Sequence, residues 1–253
     1  MSENKQTVVV WFSCGAASAV AAYKTIELYG ANSIVRVVNN PIKEEHFDNR
    51  RFLREVEEWI GQKIEFAINS KYPRASCQEV WDDRKYMSGI NGAPCTVELK
   101  KNARYEFESK NHIDWHVLGF TSEEVNRYNK FIRSERDNVI PVLIEENMTK
   151  QDCVNFLLIH GIEIPIMYRL GYPNNNCVGC VKATSPTYWN HVRKVHKYEF
   201  DLRAKQSREI GCKLVRVNGK MTYLDELKET DLGRPLKELT FECGIFCEPE
   251  EFE

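Results

Sequence analysis

A continuous run of β-branched and aromatic residues, Thr7 to Phe12, is followed at once by Ser13, Cys14, Gly15, Ala16, Ala17 and Ser18, and then by an Ala-rich stretch ending near Gly30. The first run predicts a strand and the Ala-rich stretch a helix, joined by a tight loop of small residues. The N–H groups that open such a helix have no partners within it, and with the helix dipole they can hold phosphates. Ser13 and Ser18 add hydroxyl donors. An ordinary turn kept small for packing is the other reading of the same spacing.

The pattern then repeats. Ile34 to Val38 predicts a second strand, Glu44 to Ile60 a helix with Phe47, Leu53, Val56 and Ile60 on one side, and Ile64 to Ile68 a third strand. Val97 to Phe107 predicts a helix and Trp115 to Leu118 a strand, and Thr121 caps a helix through Phe131 with Glu124 at capping-box spacing. This alternation gives an α/β fold with a doubly wound, mostly parallel sheet. Residues 1–145 are expected to form this domain. Beyond Pro141 the texture is helical, Thr149 to His160 and Pro186 to Ile210, joined by the turn-rich Gly171 to Cys180, so 146–253 is expected to be a helical, Cys-containing subdomain. Asn39 follows the second strand, in the crevice beyond the strand ends where open sheets bind ligands.

A chain of 253 residues that is 42% hydrophobic buries a substantial core and is not disordered. The start lacks a basic stretch before an apolar run, and no segment nears the roughly 20 apolar residues that cross a bilayer, so a soluble, cytoplasmic protein without membrane contact is expected. A net charge of -2 gives no global bias toward nucleic acid. Positive charge concentrates in Lys182 to Arg208, where Tyr188, Trp189, Arg193, Lys194, Lys197 and Arg203 suit either a nucleic-acid acceptor or a solvated amphipathic helix. Nine cysteines, an odd number, argue for metal, cluster or sulfur chemistry over a disulfide framework.

The segment Val8 to Ser18 resembles the Ser-Gly-Gly-x-Asp-Ser phosphate loop of the PP-loop ATP pyrophosphatases and sulfonucleotide reductases, with Cys14 in place of the first Gly and Ala17 at the usual acidic or polar position. Leu118 to Arg127 is similar to the Gly-Ile-Arg region of the phosphosulfate reductases. Ile140-Pro141-Val142-Leu143, the helix after Met148, and Pro165 to Tyr172 resemble their Asn-Pro-Leu, short helix and Pro-x-x-Tyr-x-x-Gly-Tyr signature. Cys177-Val178-Gly179-Cys180 resembles the Cys-x-x-Cys of cluster-bearing members, and Cys95 stands where reductases carry one or two Cys before a basic residue. The match spans roughly Val8 to Lys182.

The resemblance implies an adenine nucleotide alpha hydrolase-like fold that uses ATP with Mg2+. Ser13 to Ser18, Gly119 and Phe120 would hold the nucleotide, and Lys101 and Arg127 would offset phosphate charge. Cys95, Cys177 and Cys180 suit a [4Fe-4S] cluster, with Cys243 or Cys247 as the fourth thiolate, while zinc or free thiols are the other readings. The pattern is most similar to the ATP pyrophosphatase component of DNA phosphorothioation systems, which implies a DNA acceptor and a sulfur-donor protein such as a cysteine desulfurase. A sulfonucleotide reductase ranks second, because Phe241 to Cys247 keeps the Glu-Cys-Gly of the reductase tail without its His. A non-catalytic nucleotide-binding subunit is third.

Overall fold

The structure is a computed structural model that describes residues 5–90, 92–237 and 239. Five strands, β1 (Gln6–Phe12), β2 (Ser33–Asn39), β3 (Ile64–Phe66), β4 (Trp115–Leu118) and β5 (Val139–Ile140), form one sheet in the order β3-β2-β1-β4-β5, every pair parallel. This is the expected doubly wound α/β sheet. Val8, Val10 and Phe12 face one core and Val9 and Trp11 the other, so both faces of β1 are covered, which is why its sequence is apolar without alternation. The order reverses between β1 and β4, the topological position at which open sheets of this kind bind ligands.

Helix α1 (Ala16–Tyr29) packs on β1 through Ala16, Ala19, Ala21 and Ala22, each buried without residue, and these small side chains let it lie close to the sheet. Helix α2 (Asn49–Ile60) adds Phe52 and Val56 to the same core. The expected helix from Glu44 starts five residues late, and Phe47 is 79% exposed, because Glu44 and Glu45 are engaged in tertiary contacts. Helices α3 (Cys77–Arg84) and α4 (Pro94–Thr96) follow, and α4 runs through a π-helical segment, Val97–Asn102, into α5 (Ala103–Lys110). Next come α6 (Val125–Ser134), preceded by the predicted Thr121–Glu124 capping box, α7 (Val142–Glu145), and α8 (Lys150–Ile159) with Thr149 as its cap.

The rest comprises α9 (Ile166–Arg169), α10 (Pro186–Val195), α11 (Lys197–Ile210) and an antiparallel hairpin of β6 (Val215–Val217) and β7 (Lys220–Thr222). The hairpin adds two short strands to a C-terminal region expected to be helical. The long helix expected from Pro186 to Ile210 is broken at His196. A second core joins these helices to α3 through Trp189, Phe200, Leu214, Val80 and Trp81, whereas α8 packs on α1 in the first core. Among the described residues no helix is long and apolar enough to cross a membrane.

Two positions on β4 and the segment after it carry consequences for stability. A Cβ on Gly119 would lie 2.9 Å from Ser18 N and 3.0 Å from Ala17 C, so only glycine lets the end of β4 meet the first turn of α1. Gly119→Ala is expected to lower the unfolding free energy by about 1–3 kcal/mol, read by urea denaturation. His116, 3% exposed, takes Trp11 Nε1–H at Nδ1 (3.1 Å), and Arg136 Nη1 stands 2.7 Å from Nε2. Burial, then the guanidinium groups of Arg136 and Arg104, push its pKa down to about 3. The unfolded chain binds the proton first, so this group's contribution is complete above about pH 6.5 and falls as the pH drops from there toward 3, by about 1.4 kcal/mol per unit. His116→Gln is expected to flatten the acid limb of the stability curve; an unchanged slope would refute this account.

Candidate functional site

The loop between β1 and α1 is closed by Ser18, whose hydroxyl accepts from Ser13 N (3.1 Å) and Gly15 N (3.3 Å) and donates to Gly15 O (2.9 Å). Cys14 takes a left-handed backbone (φ 55°) that turns its thiol inward, against Asn39 Nδ2 at 3.6 Å. Asn39 also donates to Phe12 O (2.8 Å), so this buried residue shapes the loop from beneath. Ser13 is exposed and Ser18 buried. Two residues of the later motifs reach the loop: Tyr168 OH accepts from Ala16 N at 3.2 Å, and Asn175 Nδ2 donates to Cys14 O and to Asn49 Oδ1 (2.7 Å). Burial, followed by the charge of Glu45, pushes the Cys14 thiol far up, so it stays protonated and is no nucleophile.

Glu45 follows the end of β2 with its side chain 7% exposed, bonded to Asn49 Nδ2 (2.9 Å) and 3.6 Å from Lys100 Nζ. Burial raises its pKa, against the pull of Lys100 and Asn49. Lys100 projects from the π-helical segment, a distortion often found at functional sites. Burial works against its charge, but Glu45, Cys177, Cys77 and Cys180 outweigh it and raise its pKa. Its charge also bears on Cys14 and Cys95. Lys100 therefore links the phosphate-type loop to a group of thiols.

Those thiols are Cys77, Cys95, Cys177 and Cys180. The Cys77 thiol faces Cys177 and Cys95; hydrogen bonding to them, then burial, holds its pKa well above the usual thiol range. The bond from Cys77 brings Cys95 down to about 7, with help from Trp81, Lys182 and Lys100. Burial and then Cys177 raise Cys180, whose N–H donates to Tyr188 OH at 2.8 Å. Gly179, at φ 65°, makes the turn that brings Cys177 and Cys180 to the same side. Glu44 fastens α3 to this turn: its carboxylate accepts from Ser76 Oγ (2.7 Å) and Cys77 N (2.7 Å), and its carbonyl accepts from Val178 N (3.0 Å). All seven described cysteines are free thiols. Among the described residues no three His, Cys, Asp or Glu side chains stand in the arrangement that holds a metal ion, so the structure offers soft donors and not a closed coordination shell. Cys243 lies outside the described residues. Cys77 is the member of the group that sequence spacing missed, since it sits 18 residues before Cys95 in no recognisable motif.

The other expected residues are placed as follows. Gly119 touches the first turn of α1, and Phe120 is buried beneath Arg127, whose guanidinium lies 5.3 Å from its ring centre. Arg127 is 72% exposed and ion-paired with Glu124, and Lys101 pairs with Glu135 at 2.8 Å. The basic region of α10 and α11 is not one face: Trp189 and Arg203 are buried, Arg193 is bonded to Leu227 O and Asn190, and Lys197 pairs with Asp201.

No family model matches the chain, and no curated protein does. Among solved structures it is similar to the U34-tRNA thiolase of Methanococcus maripaludis, solved with its [4Fe-4S] cluster, at 11% identity and a TM-score of 0.46, over 82% of this chain and 70% of that one. A likeness at that level assigns neither activity nor ligand.

The Glu45–Lys100 pair, with the Glu45 side chain 7% exposed and that of Lys100 38% exposed, sets an energetic test. Lys100→Met is expected to destabilise the protein by about 1–3 kcal/mol, because it leaves the Glu45 carboxylate buried beside Asn49 alone. Adding Glu45→Gln should recover part of that loss in a double-mutant cycle followed by urea unfolding. Strict additivity would mean that the two side chains do not interact.

Proposed function

We propose that this protein is a PP-loop ATP pyrophosphatase that activates an acceptor for sulfur transfer, with DNA phosphorothioation as its setting. The observation that carries this reading is Lys100, whose ammonium bears on Cys14 of the loop and on the four thiols alike. Nucleotide chemistry and sulfur chemistry would then share one site.

In this reading the α1 N-terminus and the Ser13 hydroxyl, with Ser13 N, Gly15 N and Ala16 N exchanging Ser18 and Tyr168 for the ligand, would grip the β- and γ-phosphates of Mg-ATP as the leaving group, which leaves the α-phosphorus open to an in-line nucleophile. Lys100 is the pre-placed cation for charge developing on the phosphates. Lys101 and Arg127 would have to leave Glu135 and Glu124 to assist it. Asn39, Tyr168 and Asn175 position the loop, Gly119 abuts the first turn of α1, and Phe120 is buried beneath Arg127. Soft thiolates are the donors iron prefers, so Cys77, Cys95, Cys177 and Cys180 would hold a [4Fe-4S] cluster without the tail cysteines. Capped by four thiolates, such a cluster would have no open iron; it would hold α3 against the Cys177–Cys180 turn, and sulfur from a donor protein such as a cysteine desulfurase would not be taken up on it.

Incubation with Mg-ATP and chromatography of the products is expected to show AMP and pyrophosphate. ADP as the sole product would overturn the assignment, and sulfite released from a sulfonucleotide with a reduced thiol partner would establish the reductase in its place. Ser13→Ala with Ser18→Ala should weaken ATP binding by about 1–3 kcal/mol, because the loop amides survive the substitution.

A further inference from the structure

Beside the thiols lies a cleft of about 530 Å³ that is lined by Cys177, Cys180, Tyr188, Lys182, Arg216 and Arg234 among others and, among the described residues, by no carboxylate. The three cations come from separate stretches of chain. Lys182 follows the Cys177–Cys180 turn, Arg216 belongs to β6, and Arg234 lies beyond the hairpin. Hydrogen bonds fix their convergence: Arg216 N donates to Thr184 O (2.9 Å), Ser185 Oγ to Arg234 O (2.9 Å), and Gly233 N to Thr187 Oγ1 (3.0 Å).

Cations nearby are neutralised. Lys197 pairs with Asp201, Lys205 with Glu209, and Arg208 with Asp225 and Glu226. The side chains of Lys182, Arg216 and Arg234 are exposed, and among the described residues none of them makes a hydrogen bond or ion pair. Unpaired positive charge is thus gathered along one cleft, over a floor of Met167, Tyr172 and Pro186 that is buried and largely apolar.

We infer that this cleft binds a nucleic-acid strand, with Lys182, Arg216 and Arg234 on its phosphates and the apolar floor against sugar and base. A phosphodiester strand alternates anionic and flat apolar groups, which matches charged rim and apolar floor together. An acidic peptide would account for the rim alone. The binding claim stands on the cleft; that the strand is the acceptor for sulfur rests on the proposed function.

The test is fluorescence anisotropy with the full-length protein, without ATP, using labelled single-stranded DNA and RNA oligonucleotides in separate arms. Arg216→Gln with Arg234→Gln is expected to lower affinity at least tenfold and to reduce the slope of log K against log salt by about 1.4, the value for two lost phosphate contacts on a single strand. Lys197→Gln with Lys205→Gln, which removes two paired cations, should leave both unchanged. ATP affinity, measured by calorimetry on the same cleft variant, should stay at the wild-type value, showing that the fold and the nucleotide loop are intact. Wild-type affinity in the cleft variant, an equal loss in the paired-cation variant, or no binding of either oligonucleotide by the wild type would each overturn the inference, as would displacement of the oligonucleotide by a polyglutamate peptide at equal charge. Failure of pyrophosphate release alone would leave it standing.

Discussion

Glu44 and Glu45 together decide where everything else in the site stands. The Glu44 carboxylate sits at the N-terminus of α3, where three donors, Ser76 Oγ, Cys77 N and Gln78 N, converge on it. A carboxylate there satisfies amides that the helix leaves open and meets the positive end of its dipole. The carbonyl of the same residue takes Val178 N, inside the turn that carries Cys177 and Cys180. The next side chain, Glu45, meets Lys100 and Asn49. Two adjacent residues after β2 thereby fasten three distant segments, the start of α3, the Cys177–Cys180 turn and the π-helical segment, and also bind the first residue of α2.

Much of this was legible in the sequence where local rules suffice. The apolar run of β1, the small residues after it and the Thr121 and Thr149 caps are readable because strand burial, turn chemistry and capping act over a few residues. The hairpin had a signal too: Asn218-Gly219 between two short strands, with φ of 47° and 82°, is the dipeptide that two-residue hairpins favour. The segment Lys213 to Val217 reads as strand-like, but three-residue strands are too short to show alternation, and the partner strand shows only through the turn.

The misplacements have a common cause in tertiary contacts. Lys100 and Lys101 are adjacent, and only the π-helical turn decides that the first meets Glu45 while the second meets Glu135. Cys77 looks like any residue in the first turn of a helix until Glu44 draws that turn toward Cys177. Trp189 and Arg203 have the composition of a nucleic-acid-binding helix, yet they face the second core, where Arg203 lies 4.6 Å from the ring centre of Trp81.

The bonds from Tyr168 and Asn175 to the loop after β1 also bear on how the chain matures. The loop takes its shape from residues more than 150 positions downstream. During synthesis the N-terminal sheet strands emerge first, but the hydrogen bonds that set Ala16 N and Cys14 O are missing until Asn175 has left the ribosome. A nascent chain therefore passes through an interval with its strands synthesised and these two bonds unmade, and contacts of such separation slow the final closure. The loop after β1 is thus the first turn of the fold to be synthesised and among the later ones to be fastened.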